Sequence, residues 1–180
     1  MNRGSGDPVA RVAMERERRR KENFGILLAQ LRHESIPYRV KAAEALGRIG
    51  NPEAVGGLID ALGDPEPEVR WVTARALGAL RDIRASPALI ARLADADPWV
   101  RQGSAWALGE MREAGAWEPL AGLLADRKKG VRAAAAEALG KIGDPGATAA
   151  LLGACNDEEP DVRAAARKAL RAAGLSPPEP

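Results

Sequence analysis

Residues 131–143 read VRAAAAEALGKIG, and closely similar phrases recur along the chain at a constant spacing. The other copies are YRVKAAEALGRIG from Tyr38, VRWVTARALGALR from Val69, VRQGSAWALGEMR from Val100 and VRAAARKALRAAG from Val162. An arginine at the second position and an Ala-Leu pair at the eighth and ninth positions recur in every copy. Because the register never slips by one residue, the chain is read as a tandem array of one structural unit.

Each 31-residue block contains the pattern of two amphipathic helices. The apolar residues of the first helix recur at i, i+4, i+7, i+8 and i+11, as in Val69, Thr73, Ala76, Leu77 and Leu80. The second helix is represented by PEAVGGLIDAL at residues 52–62, which has the same kind of spacing. Gly50 is expected to end the first helix in a left-handed conformation, and Asn51 and Pro52 to begin the second.

A glycine lies inside the first helix of four blocks, at Gly47, Gly78, Gly109 and Gly140. Glycine costs about 1 kcal/mol relative to alanine in a helix interior. Its recurrence therefore predicts that a neighbouring helix approaches the backbone closely. Since a helix pair cannot bury its apolar face alone, the pattern predicts an all-α fold, an α-solenoid of stacked pairs.

The array is predicted to form a single solenoid over residues 7–174, with residues 1–6 disordered and residues 175–180 a C-terminal tail. Its repeats are predicted at about residues 7–37, 38–68, 69–99, 100–130 and 131–161, followed by a half repeat at 162–174. The first repeat is degenerate, with helices expected at Asp7–Glu22 and Gly25–Arg32. The terminal half repeat is either capped by its own basic residues or is an edge through which two copies associate.

Composition excludes several classes of protein. The 27 basic and 25 acidic residues give a net charge of +2, so no overall charge favours nucleic acid or membranes. No apolar run reaches the roughly 20 residues of a membrane span, and no signal peptide is recognisable. The single cysteine, Cys155, falls in a core register and is expected to be a buried thiol. A cytoplasmic protein without membrane association is expected.

The repeated phrases resemble the HEAT-repeat superfamily, and most closely the short HEAT-like repeats of phycobilisome (PBS) lyase subunits. The resemblance covers Tyr38 to Ala173. The sequence also resembles artificial consensus solenoids built from this repeat. It implies an armadillo-like, right-handed superhelix whose second helices line a concave, partner-binding surface. It also implies a structural ladder along the stack that joins arginines to aspartates: Arg39, Arg70, Arg101, Arg132 and Arg163 with Asp64, Asp95, Asp126 and Asp157.

Little in the sequence favours catalysis. The chain has one histidine, His33, followed by Glu34. A related family of HEAT-like iron hydroxylases uses repeated His-Glu pairs to bind two metals, and one pair cannot form such a site. No phosphate-binding loop and no paired zinc ligands are present. We expect no catalytic, cofactor-binding or metal-binding residues, and hence no enzyme and no cofactor.

Three tryptophans are candidates for partner binding. Trp71, Trp99 and Trp106 occupy registers of the first helices that are largely polar in the other blocks, whereas Trp117 falls in a core register. Tryptophan is enriched at binding hot spots because it buries a large area with few rotamers to restrict. Two alternatives remain open: an exposed ridge that binds a partner, or side chains that pack on their neighbours and shield the stack.

The second helices carry mostly small residues at the positions expected to face the concavity. Such a surface could dock a helix or an extended peptide, or the small residues could serve only to allow tight curvature. The candidate partner-binding positions are Gly56, Gly57, Asp60, Pro87, Ala88, Arg92, Glu118 and Gly122. The sequence thus favours a scaffold or adaptor that binds a protein or peptide. The alternatives are a bilin lyase-like subunit and a nucleic-acid-binding protein, the latter disfavoured by Asp60 and Glu118 beside Arg92.

Overall fold

The computed structural model of the protein describes residues 8–178, and every regular element within them is helical. The helices α2, α4, α6 and α8 are first helices of 14 residues each, and they alternate with the shorter second helices α3, α5, α7 and α9. The α-helices are α1 Pro8–Gln30, α2 Ile36–Ile49, α3 Val55–Ala61, α4 Pro67–Leu80, α5 Ser86–Arg92, α6 Pro98–Met111, α7 Trp117–Gly122, α8 Lys129–Ile142, α9 Thr148–Ala154 and α10 Pro160–Ala172. The predicted all-α solenoid is confirmed.

The N-terminal part of the chain differs from the prediction. Pro8–Gln30 is one helix of 23 residues, so the two helices expected at Asp7–Glu22 and Gly25–Arg32 are wrong. Gly25 does not adopt the left-handed conformation that would end a helix, so the helix continues past Glu22 to Gln30. The disorder expected for residues 1–6 concerns residues outside the described part of the chain.

The helix ends follow the chemistry of the cap residues. Gly50 adopts a left-handed conformation with φ 72° after α2, as predicted. The Asn51 side chain accepts a hydrogen bond from the backbone N–H of Glu53, and that of Asp97 accepts from Trp99 and Val100. A single 3-10 turn comes before each second helix, which the sequence did not predict. Each turn places the second helix after a tight reversal of the chain.

The core is a continuous seam of small and branched aliphatic side chains between the two layers of helices. Its fully buried members include one leucine from each of the helices α2 to α8: Leu46, Leu58, Leu77, Leu89, Leu108, Leu120 and Leu139. Successive first helices also touch at the recurring glycines. A Cβ added at Gly47, Gly78, Gly109 or Gly140 would lie 2.7–2.9 Å from the Cα of Ala76, Ala107, Ala138 or Ala169. The predicted close backbone approach is confirmed.

Four bidentate ion pairs join the loops along one edge of the stack. In each, the arginine Nε and Nη2 donate to both carboxylate oxygens of the aspartate 25 residues later, at 2.7–3.0 Å: Arg39–Asp64, Arg70–Asp95, Arg101–Asp126 and Arg132–Asp157. The same arginine uses Nη1 to hold the loop before its own helix, as Arg70 does at the carbonyls of Asp64 and Pro65. Each arginine therefore links two successive loops.

The aspartates of these pairs also shape their own loops. Asp64 Oδ1 accepts a hydrogen bond from the backbone N–H of Glu66 at 2.9 Å. In the same way, Asp95, Asp126 and Asp157 each accept from the backbone N–H two residues later. His33 occupies this position in the first loop, where its Nδ1 accepts from the N–H of Ser35 at 3.0 Å. A histidine one repeat before Asp64 thus replaces the aspartate.

The ion pairs predict a dependence of stability on pH. Burial raises the pKa of Asp95 and of Asp126, but hydrogen bonds from Arg70, from Arg101 and from the backbone outweigh it and leave the pKa of both carboxyls below the ordinary value. For Asp157, the hydrogen bond from Arg132 is the largest cause of a lowered pKa. The unfolded chain then binds protons more readily than the folded one as the solution is acidified.

We expect the melting temperature to be nearly constant between about pH 6 and 8 and to fall as the pH drops below about 4, the ordinary aspartate pKa. Circular dichroism melts from about pH 3 to 8 measure this change. The Asp95→Asn/Asp126→Asn double variant should start less stable and lose less stability in acid. An acid slope equal to that of the wild-type chain would show that other carboxylates cause the loss.

Candidate functional site

The second helices present a surface of low relief. Gly56 in α3, Gly122 in α7 and Gly153 in α9 are exposed, and a Cβ added to any of them would meet no atom within 4 Å. Pro87 and Glu118 are exposed beside them, and Ala88 is half-buried. A partner's backbone could therefore come close to this surface on three second helices.

Three of the candidate positions on this surface have intramolecular contacts. A Cβ on Gly57 would lie 3.2 Å from Leu28 of α1, so this glycine accommodates α1 rather than open space. Asp60 accepts a hydrogen bond from Arg32 at 2.9 Å, between two highly exposed side chains. Arg92 lies 3.4 Å from Asp95. Two of the three charged candidate residues on this surface, Asp60 and Arg92, are thus paired within the chain.

The three candidate tryptophans lie on α4 and α6, on the first-helix side of the stack. Trp99 is 62% exposed, whereas Trp71 and Trp106 are half-buried. Trp71 lies over Gly103 of the next first helix, and Trp106 lies over Gly78 of the preceding one, each within 3 Å of where a Cβ would be. Each of the two half-buried rings therefore covers a glycine of the neighbouring first helix, at the contact between α4 and α6.

Arg75 lies between these rings. Its guanidinium carbon is 4.5 Å from the ring centroid of Trp106 and 6.0 Å from that of Trp71, within the range of cation–π attraction. The sequence reasoning missed Arg75. Its position one repeat before Trp106 was the available signal, because residues at that spacing occupy neighbouring helices in the same register.

A groove runs past this cluster, and we call it the tryptophan groove. One part, of about 470 Å³, lies between α2, α4 and α6, and it continues into a part of about 250 Å³ between α4, α6 and α8. Both parts share Trp71, Arg75 and Trp106. The other charged or aromatic lining residues are Glu44 and Arg48 in the first part and Trp99 and Glu137 in the second.

The remaining reactive side chains have structural surroundings. His33 lies in the first loop, with its ring centroid 4.5 Å from that of Tyr38, and Cys155 is buried. Across the described residues, no group of three or more histidine, cysteine, aspartate or glutamate side chains could hold a metal ion. None of the helices described is both long enough and apolar enough to cross a membrane.

Stacked helix pairs with a constant 31-residue register define a repeat protein of the α-solenoid class. The family model described as HEAT repeats matches residues 26–97 and 86–171. These two matches together cover most of the sequence, so the chain belongs to the HEAT-repeat family. Among curated proteins, none matches its sequence significantly.

Several solved structures are similar to this fold. The complex of CpcE and CpcF of phycocyanin lyase from Nostoc sp. PCC7120 contains a chain with 28% identity and a TM-score of 0.77, over 83% of this chain. This chain spans 64% of that protein, less than two thirds of its length.

A designed armadillo repeat protein in complex with the peptide (KR)4 has 22% identity and a TM-score of 0.64, over 82% of this chain and 80% of its own. An engineered protein from the Northeast Structural Genomics Consortium has 22% identity and a TM-score of 0.67, over 84% and 79%. The last two likenesses concern the fold alone.

Proposed function

We propose that this protein is a non-enzymatic scaffold or adaptor that binds a protein or peptide on the surface formed by its second helices. The observation that carries this proposal is the open space at Gly56, Gly122 and Gly153, which expose backbone on three second helices. A helix or an extended segment can approach such a surface closely. Contacts distributed over several repeats then select the partner.

The rigidity of the stack supports the proposal. The core leucines and the bidentate ion pairs fix successive helix pairs relative to one another, so the second-helix surface is already formed before a partner arrives. A preformed surface loses less conformational entropy on association than a flexible one. The similar CpcE–CpcF structure is also a complex of two proteins.

The use of the buried carboxylates supports a non-enzymatic role. The side chains of Asp64, Asp95, Asp126 and Asp157 are at most 10% exposed, and each is held by an arginine and by a backbone N–H. A general acid or base must exchange a proton with substrate near the working pH. Carboxylates bound in this way are suited to holding loops together.

Partner capture tests the second-helix surface. A Cβ at Gly56, Gly122 or Gly153 would meet no atom within 4 Å and these positions are exposed, so tyrosine there should leave the fold intact. In capture from native lysate with quantitative mass spectrometry, the triple variant should lose about tenfold or more of a specific partner. Tyrosine at the exposed first-helix positions Lys41 and Ala164 provides the control. Unchanged capture by a folded triple variant would refute this surface.

A second candidate function is that of a subunit in a bilin lyase-like system. It is favoured by the similarity to the phycocyanin lyase complex, at 28% identity and a TM-score of 0.77. Incubation with phycocyanobilin and an apo-phycobiliprotein, alone and with a candidate partner subunit, separates the two functions. Covalent attachment of the chromophore would support the lyase-like role, and its absence in both arms would leave the scaffold.

A further inference from the structure

Two arginines in the tryptophan groove differ from those of the ion-pair ladder. Within residues 9–178, neither Arg48 nor Arg75 has a carboxylate within salt-bridge distance, whereas Arg39, Arg70, Arg101 and Arg132 each hold one. Arg48 and Arg75 line the same part of the groove and belong to adjacent first helices, α2 and α4. Their positive charge is not balanced by an ion pair of their own.

Arg75 is exposed, and its guanidinium lies over the ring of Trp106. Its guanidinium carbon lies 4.5 Å from the ring centroid of Trp106 and 6.0 Å from that of Trp71, and within the described residues no group accepts a hydrogen bond from its N–H donors. Arginine donors presented in this way match the two oxygens of a carboxylate. Because the cation–π contacts favour this position of the side chain, less rotamer entropy is lost when an acceptor binds.

We propose that the tryptophan groove binds an acidic segment of a partner protein, with an aspartate or glutamate carboxylate on Arg75 and Arg48. This surface is distinct from the second-helix surface and goes beyond the proposed function. An apolar residue beside that carboxylate covers Trp99. The groove is large enough for such side chains, since its main part of about 470 Å³ lies within the usual range for ligand sites.

The distribution of charge selects an isolated carboxylate over a polyanion. Glu44 lines the part of the groove that contains Arg48 and Arg75, and Glu137 lines the part that contains Trp99. A nucleic acid strand carries a phosphate every few ångströms and would bring negative charge against both glutamates. A single carboxylate flanked by apolar residues can bind the two arginines without placing further negative charge beside the two glutamates.

The exposure of Trp99 supplies the second half of the recognition. Its side chain is 62% exposed, whereas the other two tryptophans of the groove are half-buried. It lines the same part of the groove as Trp71, Arg75 and Trp106. An indole beside a charged anchor is a common composition for an interface hot spot.

Peptide selection tests this assignment. The wild-type protein is used to select from a phage library of random peptides, with counter-selection on the Arg75→Gln variant. Enriched peptides should contain an aspartate or glutamate next to a leucine, isoleucine or phenylalanine. Synthetic versions should lose about tenfold in affinity, by fluorescence anisotropy, on Arg75→Gln and on Trp99→Ala.

Matched variants make the test specific. Glu44→Gln removes the opposing charge and should strengthen peptide binding severalfold, whereas Arg20→Gln on exposed α1 should change nothing. Arg75→Lys should weaken binding nearly as much as Arg75→Gln, because lysine has no planar fork. Binding should survive the tyrosine variants at Gly56, Gly122 and Gly153, so a failure of the second-helix surface would be seen separately.

Three outcomes would overturn the proposal. They are a selection without enrichment, enriched peptides with no excess of acidic residues, and equal affinity for wild type and Arg75→Gln when the circular dichroism spectra of the two agree. A short oligonucleotide that binds this groove more tightly than the selected peptides would assign it to nucleic acid instead. Tighter peptide binding by Glu44→Gln with loss on Arg75→Gln would establish the carboxylate site.

Discussion

Replacing Gly78 with alanine is expected to lower the free energy of unfolding by roughly 2 kcal/mol or more. The added Cβ would lie 2.7 Å from the Cα of Ala107 and 2.7 Å from Cζ3 of Trp106. One of these neighbours is backbone, so α4 and α6 must move apart along their contact. Alanine's higher helix propensity, worth about 1 kcal/mol, offsets only part of this cost. Urea unfolding followed by circular dichroism measures the change.

The chain contains its own control for this prediction. Gly153 in α9 is also helical, but a Cβ there meets no atom within 4 Å. Gly153→Ala should therefore raise the free energy of unfolding by up to about 1 kcal/mol, through helix propensity and the reduced entropy of the unfolded chain. If Gly78→Ala were as stable as Gly153→Ala, the close helix approach would not require glycine.

Replacing Asp95 with alanine is expected to destabilise the fold by about 3 kcal/mol. The Asp95 side chain is 3% exposed, and it accepts hydrogen bonds from Arg70 at 2.8 and 2.9 Å and from the backbone N–H of Asp97. Its removal leaves an arginine that is 13% exposed without its counter-ion. The cost is the unpaired charge more than the lost attraction. Thermal and urea unfolding both measure it.

Asp60 provides the matched comparison for Asp95. It also forms an arginine pair, with Arg32 at 2.9 Å, but the Arg32 and Asp60 side chains are 79% and 64% exposed. Exposed pairs contribute at most about 1 kcal/mol, so Asp60→Ala should have a small effect. Equal losses for the two variants would mean that burial does not determine the strength of these ion pairs.

The repeat period was sufficient to predict the fold. Helix pairs, cap residues and the glycine contacts all follow from local patterns that recur in successive blocks, and each recurrence strengthens the inference. The segment that ends at Gln30 lacks the repeated phrase, so no register fixed the helices of the degenerate first repeat. Whether that segment formed one helix or two depended on the conformation of Gly25, which composition alone does not determine.

The candidate site was harder to predict because it depends on neighbouring repeats. Register showed that Trp71 and Trp106 lie on adjacent first helices, but not in which direction each ring points. The direction is determined by space, which Gly103 provides for Trp71 and Gly78 for Trp106. For the same reason Arg75 was missed and Gly57 was taken for an open position, although it accommodates a leucine of α1.

The glycine contacts also determine how closely a further helix can pack on α10. Arg171 in α10 lies one repeat after Gly140, at the position where the preceding first helices have glycine. Any side chain there prevents an incoming helix from reaching the 2.7–2.9 Å approach made at the earlier contacts. A helix packed on α10, whether from this chain or from another, must therefore lie farther away than the internal first helices lie from one another.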